Sequence, residues 1–145
     1  MHAKLTIQTL GYAGLLLFYG FLAGFALLDD YPRALSVQGF LIYSLAILSF
    51  LGGTLWGFAR TLPDGEQVAR LVVSNGVVLF AVCCLLTAQT TIAATALMLG
   101  YLALVWYERR IDGHAGWYSQ LRMRLTIGVV IAHVGYATLQ FTDAQ

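Results

Sequence analysis

Residues 7–28 read IQTLGYAGLLLFYGFLAGFALL, and the four residues that follow, 29–32, read DDYP. The first stretch is uncharged over 22 residues. About 20 apolar residues in a helix are enough to cross the roughly 30 Å hydrocarbon layer of a bilayer. The two aspartates and the proline then interrupt the apolar pattern, as is typical where a helix ends. This stretch therefore predicts a helix that spans a membrane.

The rest of the chain repeats this pattern four times, with short polar linkers between the apolar segments. The predicted helices cover about 7–28, 35–60, 67–87, 90–108 and 117–141, and the short turn at 87–90 predicts an antiparallel hairpin. Of the 145 residues, 59% are hydrophobic and 10% are charged, whereas a soluble domain is about a quarter charged. We therefore expect an all-α, five-helix transmembrane bundle, in which residues 1–145 form a single integral membrane domain within the lipid bilayer.

The distribution of Lys and Arg predicts the orientation of this bundle. With five crossings, the N-terminus and the linkers after helices 2 and 4 share one side, and seven of the eight Lys and Arg residues fall there. Cytoplasmic loops carry an excess of these residues. We therefore expect a cytoplasmic N-terminus and a periplasmic C-terminus in the bacterial cytoplasmic (inner) membrane. The seven residues are Lys4, Arg60, Arg70, Arg109, Arg110, Arg122 and Arg124, and the eighth is Arg33.

Small residues at four-residue spacing predict where helices pack closely. Lipid tails solvate Leu as well as a protein core does, so helices in a membrane associate mainly through close contact of small residues. Such pairs occur on helix 1, helix 2 and helix 5. They are Gly20 and Gly24, Gly53 and Gly57, and Gly128 and Ala132. Internal packing of one chain is the favoured interpretation, and a homodimer face is the alternative.

Three stretches together resemble a known family. Residues 50–59 read FLGGTLWGFA, residues 117–126 read WYSQLRMRLT, and residues 10–15 read LGYAGL. In this combination the chain resembles the transmembrane protein 69 family over nearly its whole length. The resemblance implies a small multi-pass protein of the bacterial cytoplasmic membrane or the mitochondrial inner membrane. In bacteria it implies a domain of unknown function, with no established activity.

The first two of these motifs also supply the candidate binding or interface residues, because both reach the same membrane face. These residues are Gly52, Gly53, Trp56, Arg60, Trp117, Tyr118 and Arg122. The favoured interpretation is an interfacial clamp, in which Trp and Tyr anchor the bundle and arginines extend to lipid phosphates. The alternative is a specific site for a lipid, a quinone or a protein partner. Arg122 either binds an anionic head group or pairs with Glu108 or Asp112.

Two polar residues inside the predicted helices are candidate buried polar groups. His133 lies slightly beyond the middle of helix 5, and Asn75 lies within helix 3. Ionisable and amide groups are costly in hydrocarbon, so each needs a partner. For both, an interhelical hydrogen bond is the favoured role. For Asn75 the alternative is a place on a substrate pathway. For His133 the alternative is a proton, quinone or haem role, and the hydrogen-bond partners considered for it are Ser49, Thr54, Ser74 and Asn75.

The sequence contains no recognisable catalytic motif and no metal-ligand cluster, and no charged residue lies in the central part of any predicted helix. We therefore expect no catalytic residues, no metal and no cofactor, and the net charge of +1 favours no nucleic-acid partner. The preferred hypothesis is a non-catalytic accessory or assembly factor that binds other membrane subunits of a larger inner-membrane complex. The alternatives are a small transporter, a lipid- or quinone-binding protein, and a redox protein that uses His133.

Overall fold

The computed structural model describes residues 2–87 and 89–145, and these residues form five α-helices and no β-strand. The helices are α1 (His2–Leu27), α2 (Asp30–Ala59), α3 (Asp64–Leu86), α4 (Thr90–Asp112) and α5 (Trp117–Asp143). Met1 and Ala88, the latter in the turn predicted at 87–90, lie outside the described residues. The predicted all-α fold with five helices is confirmed for this part of the chain.

The helices extend beyond the apolar segments that predicted them. α1 begins at residue 2 rather than about 7, α2 at 30 rather than 35, and α3 at 64 rather than 67, while α4 ends at 112 rather than 108 and α5 at 143 rather than 141. Apolarity marks the part of a helix suited to hydrocarbon, whereas the backbone hydrogen-bond ladder continues through polar residues. Pro32 lies in the first turn of α2, where its missing N–H breaks no helical hydrogen bond.

The helices form a closed ring in chain order. Each helix packs against the next, α5 returns to α1, and α2 also contacts α4 across the ring. α1 and α5 run parallel, because Gly11 faces Leu125 near their starts and Gly135 faces Leu22 further along. By length and composition, each of the five helices found in the described residues is able to cross a membrane.

Aromatic side chains fill the middle of the ring. Phe18 of α1 packs edge-on against Phe40 of α2 and Tyr101 of α4, with ring centroids 5.5 and 6.3 Å apart. Phe40 also stacks on Tyr136 of α5 at 4.4 Å. These four rings are buried, and His133 lies among them. The core therefore joins four of the five helices through one aromatic cluster.

Seven of the eight Lys and Arg residues lie at one end of the bundle, which we call the cationic end. This end comprises the start of α1, the linkers 60–63 and 113–116, and the helix turns that flank those linkers. Contacts between helices confirm this placement. The Lys4 ammonium lies 5.2 Å from the centre of the Trp117 ring, and Arg70 of α3 pairs with Asp112 of α4. At the opposite end Arg33 pairs with a carboxylate on the last turn of α5. The antiparallel connections thus segregate the charges as the sequence count predicts.

The small-residue pairs divide between the inside and the outside of the ring. A Cβ added at Gly24 would meet Ser36, and one added at Gly128 would lie 2.7 Å from a methyl group of Leu15. Internal packing is therefore the right interpretation for these two glycines. It is wrong for Gly20, Gly53 and Gly57, because an added Cβ at any of them would have no neighbour within 4 Å among the described residues.

Candidate functional site

A cleft of about 530 Å³ opens at the cationic end between α2, α3, α4 and α5. We call it the arginine cleft, because three arginines and two carboxylates line it together with aromatic and small polar groups. Its lining residues are Thr54, Leu55, Phe58, Arg70, Glu108, Arg109, Asp112, Gly113, Tyr118, Ser119 and Arg122. Four helices contribute, so the cleft exists only in the folded bundle.

Arg122 is held by a two-point ion pair on one wall of this cleft. Its Nε donates to Glu108 Oε2 at 3.0 Å and its Nη2 donates to Glu108 Oε1 at 3.1 Å. Both side chains are largely buried, with 8% and 14% of their surface exposed. This planar, bidentate geometry is the strong form of an arginine–carboxylate pair. Of the partners considered for Arg122, Glu108 is the one observed, and these two donors are not free for a lipid head group.

Arg70 lines the cleft from α3, and only one of its two terminal nitrogens has a hydrogen-bond partner. Its Nη2 donates to Asp112 Oδ1 at 3.1 Å, and its guanidinium lies 4.9 Å from the centre of the Phe58 ring. The residue is 7% exposed, and its Nη1 finds no hydrogen-bond partner among the described residues. A buried guanidinium nitrogen without an acceptor is costly. Arg70, which lines the cleft, therefore has a buried donor without an acceptor among the described residues.

Arg70 was not among the candidate site residues, although the sequence carries a signal for it. It lies three residues inside the predicted helix 67–87, and in the structure it lies six residues after the start of α3, about 9 Å along the helix axis, so it belongs to the helix and not to the linker that holds Arg60. From the sequence, Arg70 served only to predict the orientation of the bundle. Its partner Asp112 is 42 residues away on α4. That pairing depends on the register between α3 and α4.

An apolar groove of about 370 Å³ lies beside the arginine cleft, between α1, α2 and α5. The two cavities share Thr54, Tyr118 and Arg122 as lining residues. The groove runs toward Phe18 and Tyr101 in the aromatic core. Its remaining lining residues are Ile7, Leu10, Gly11, Gly14, Leu15, Ile47, Phe50, Leu51, Leu121, Leu125, Thr126 and Val129. A cleft lined by charged residues thus lies next to a groove lined almost entirely by apolar residues.

The candidate residues of α2 do not line either cavity. Gly53, Trp56 and Arg60 are exposed on the outer surface of the bundle. Gly52 instead forms the contact with α3, where its carbonyl accepts a 2.7 Å hydrogen bond from Ser74. A Cβ at Gly52 would lie 2.9 Å from a methyl group of α3. The α2 motif therefore combines an inward glycine with an outward face.

The candidate residues of α5 lie closer to the cleft. Tyr118 and Arg122 line it, and Tyr118 also borders the apolar groove. Trp117 is 38% exposed and packs edge-on against Tyr118, with its outer ring face near Lys4. The structure thus brings together two of the residues proposed from the sequence, and it adds Arg70, Glu108 and Asp112.

His133 is buried and hydrogen-bonded through both ring nitrogens. Nδ1 lies 2.8 Å from the Val129 carbonyl oxygen, which only accepts, so Nδ1 carries the proton. Nε2 then accepts from the Ser44 hydroxyl of α2 at 2.7 Å. A haem-ligand or proton-carrying role would need the same Nε2 lone pair. The partner is none of the four residues considered from the sequence, because the register between α2 and α5 aligns His133 with Ser44.

The interpretation of Asn75 as a buried polar group is wrong. Its side chain is exposed on the outer surface of α3, and its Nδ2 donates to the Leu71 carbonyl of the same helix at 2.9 Å. The partner that an amide needs in hydrocarbon is thus supplied by the preceding turn. Its neighbour Ser74 makes the interhelical hydrogen bond instead.

Acidic, His and Cys side chains are dispersed in the structure. Within residues 2–87 and 89–145, no group of three or more of them lies close enough to hold a metal ion. Cys83 and Cys84 are free thiols, the first exposed and the second buried. In the described part of the chain, the arginine cleft is therefore the place where several charged side chains lie close together.

Comparison with known proteins places this architecture in a family. Neither the curated proteins nor the solved structures yielded a match. The model of a family described as a protein of unknown function (DUF3429) matches residues 3–138. The match covers all five helices except the first residue of α1 and the last residues of α5, and it includes every residue of the arginine cleft. The chain therefore belongs to the DUF3429 family of proteins of unknown function.

Proposed function

We propose that the chain is a multi-pass protein of the bacterial cytoplasmic membrane, with a cytoplasmic N-terminus and a periplasmic C-terminus. Five helices of sufficient length and apolarity support the membrane location, and the cationic end supports the orientation. The motifs at 50–59 and 117–126 support a place within the transmembrane protein 69 family. The cationic end would then face the cytoplasm.

In this setting the chain acts as a non-catalytic accessory or assembly factor that docks onto other membrane subunits. The observation that carries this proposal is the outward face of α2, formed by Gly53, Trp56 and Gly57. Neither glycine has a neighbour within 4 Å of an added Cβ, and Trp56 is 47% exposed beside them. Contact with lipid gives no reason for small residues, whereas close approach of another helix is favoured by them. The face therefore suits a transmembrane helix of a partner subunit.

The test is purification from the native membrane in mild detergent, with the co-purifying proteins identified and quantified. The double variant Gly53→Leu/Gly57→Leu is expected to reduce recovery of a partner at least tenfold, because bulk on this face prevents close helix contact. Gly20→Leu is the control, since Gly20 of α1 faces open space but has no second outward glycine beside it, Gly24 being packed against Ser36. Equal recovery of all partners with both variants, or self-association alone, would contradict the docking proposal.

A second candidate function, binding of a lipid or quinone, is favoured by the position of the arginine cleft next to the apolar groove, with three lining residues in common. Transport through the bundle has weaker support. The groove ends at Phe18 and Tyr101, which belong to a buried aromatic cluster rather than to an open path. The arrangement therefore suits retention of an amphipathic molecule more than its passage across the membrane.

A further inference from the structure

We propose that the arginine cleft binds the phosphate head group of an anionic phospholipid, with Arg70 as the anchoring residue and an acyl chain in the adjoining apolar groove. This inference deepens the second candidate function, and it is independent of the outward face of α2. The occupant is defined by two chemical parts, a singly charged oxyanion and a hydrocarbon chain. Each part has its own structural basis.

Arg70 supplies the first basis, because it is more than nine-tenths buried and only partly paired. Asp112 satisfies Nη2, while Nη1 has no acceptor among the described residues. A phosphate oxygen is a strong acceptor for a guanidinium donor, and the geometry of arginine favours binding through two of its nitrogens. Nη1 is itself buried, so a phosphate in the cleft would complete this hydrogen bond once the Arg70 side chain turns toward it.

Charge balance supplies the second basis. Arg70, Arg109 and Arg122 line the cleft together with Glu108 and Asp112, which leaves one positive charge. Arg122 is already neutralised by Glu108 through two hydrogen bonds. The surplus charge therefore lies on the side of Arg70 and Arg109. A phosphodiester, which carries one negative charge, matches it.

The apolar groove supplies the third basis and distinguishes a lipid from a free anion. It joins the cleft at Thr54 and Tyr118. Leu10 of α1 and Phe50 of α2, on its rim, are 66% and 68% exposed on the outer surface of the bundle. The groove therefore opens sideways, in the direction of lipid in a membrane. A chain can enter it laterally while the head group reaches Arg70.

The experiment is a titration of the full chain in detergent, followed by native mass spectrometry. Phosphatidylglycerol is the probe, phosphatidylcholine is its zwitterionic counterpart, and glycerophosphoglycerol is the same anionic head without chains. We expect phosphatidylglycerol to bind at least tenfold more tightly than either of the others. Equal binding of phosphatidylcholine would overturn the anionic assignment, and equal binding of glycerophosphoglycerol would overturn the lipid assignment.

Variants of the cleft test the anchoring residue. Arg70→Lys keeps the charge but loses the guanidinium geometry, and it is expected to weaken phosphatidylglycerol binding about tenfold. Arg124→Ala, at an exposed position of the same end, is the matched control and should change binding less than twofold. Unchanged binding in Arg70→Lys, together with weaker binding in Arg124→Ala, would show a diffuse charge effect and overturn the site.

Two further variants keep the proposal testable if Arg70→Lys fails to fold. Asp112→Asn removes a half-exposed carboxylate and frees Arg70, so it should tighten phosphatidylglycerol binding severalfold. Gly14→Leu adds bulk at a residue that lines the groove, where an added Cβ would lie 3.4 Å from the Tyr43 hydroxyl of α2. It should weaken binding, whereas Gly20→Leu on the same helix should leave it unchanged. Unchanged binding in Asp112→Asn would overturn the role of Arg70. The Gly53→Leu/Gly57→Leu variant is expected to retain lipid binding, which separates this proposal from the docking proposal.

Discussion

Gly52 and Gly53 are adjacent on α2 and meet opposite surroundings. Gly52 is buried against α3, where its carbonyl accepts a hydrogen bond from Ser74 and an added Cβ would lie 2.9 Å from a methyl group of Val77. Gly53 faces outward, and an added Cβ would have no neighbour within 4 Å. One glycine therefore sets the distance between two helices, and the other leaves a surface open.

This contrast predicts different effects for the same substitution. Gly52→Ala is expected to destabilise the bundle by about 1–3 kcal/mol, because a methyl group forced into a tight helix contact displaces its neighbours. Gly53→Ala is the control and should not lower stability. Thermal unfolding of both variants in one detergent measures the difference. A midpoint for Gly52→Ala equal to that of the unmodified protein would show that the α2–α3 contact accommodates a methyl group with no loss of stability.

The direction in which a residue faces on its helix was harder to predict from the sequence than the helix itself. The spacing of Gly53 and Gly57 indicated a small-residue face but did not tell whether that face turns inward. Outside a membrane helix the surroundings are as apolar as the core, so hydrophobic periodicity carries little information about direction. The same reason explains Asn75, whose polarity suggested burial although its own helix satisfies it.

At the scale of helices, a buried ion pair joins α4 to α5. Glu108 and Arg122 lie 14 residues apart across the short linker, and two parallel hydrogen bonds connect them. The sequence allowed this pairing to be proposed because the two helix ends must meet at that linker. It did not reveal the Arg70–Asp112 pair, because residues 42 apart meet only through the packing of α3 on α4.

Glu108→Gln is expected to destabilise the α4–α5 contact by about 3 kcal/mol, since it leaves the Arg122 charge buried without a counter-charge. Glu66→Gln is the control, because Glu66 is an exposed carboxylate at the same end of the bundle. The midpoint of thermal unfolding in detergent should fall for the first variant and stay within error for the second. Equal midpoints would mean that water in the cleft already solvates the arginine.

At the scale of the whole molecule, helix number and charge placement were predictable because each follows from a strong physical constraint. The length of an apolar segment reflects the thickness of hydrocarbon, and five such segments necessarily alternate in direction. The closed ring of helices and the arginine cleft were not predictable, because both depend on which helix faces meet. The structure shows which faces meet, and it shows that three of the arginines counted in the sequence line one cleft, where Glu108 and Asp112 are the partners of two of them.

The orientation of the bundle in the membrane is the claim on which the cytoplasmic position of the cleft depends. Fusions of alkaline phosphatase and of green fluorescent protein after Gln145, and after Gly113 in the α4–α5 linker, test it directly in bacterial cells. We expect active phosphatase and no fluorescence from the Gln145 fusions, with the reverse pattern from the Gly113 fusions. Fluorescence from the fusion after Gln145, with no phosphatase activity at the same position, would contradict the account.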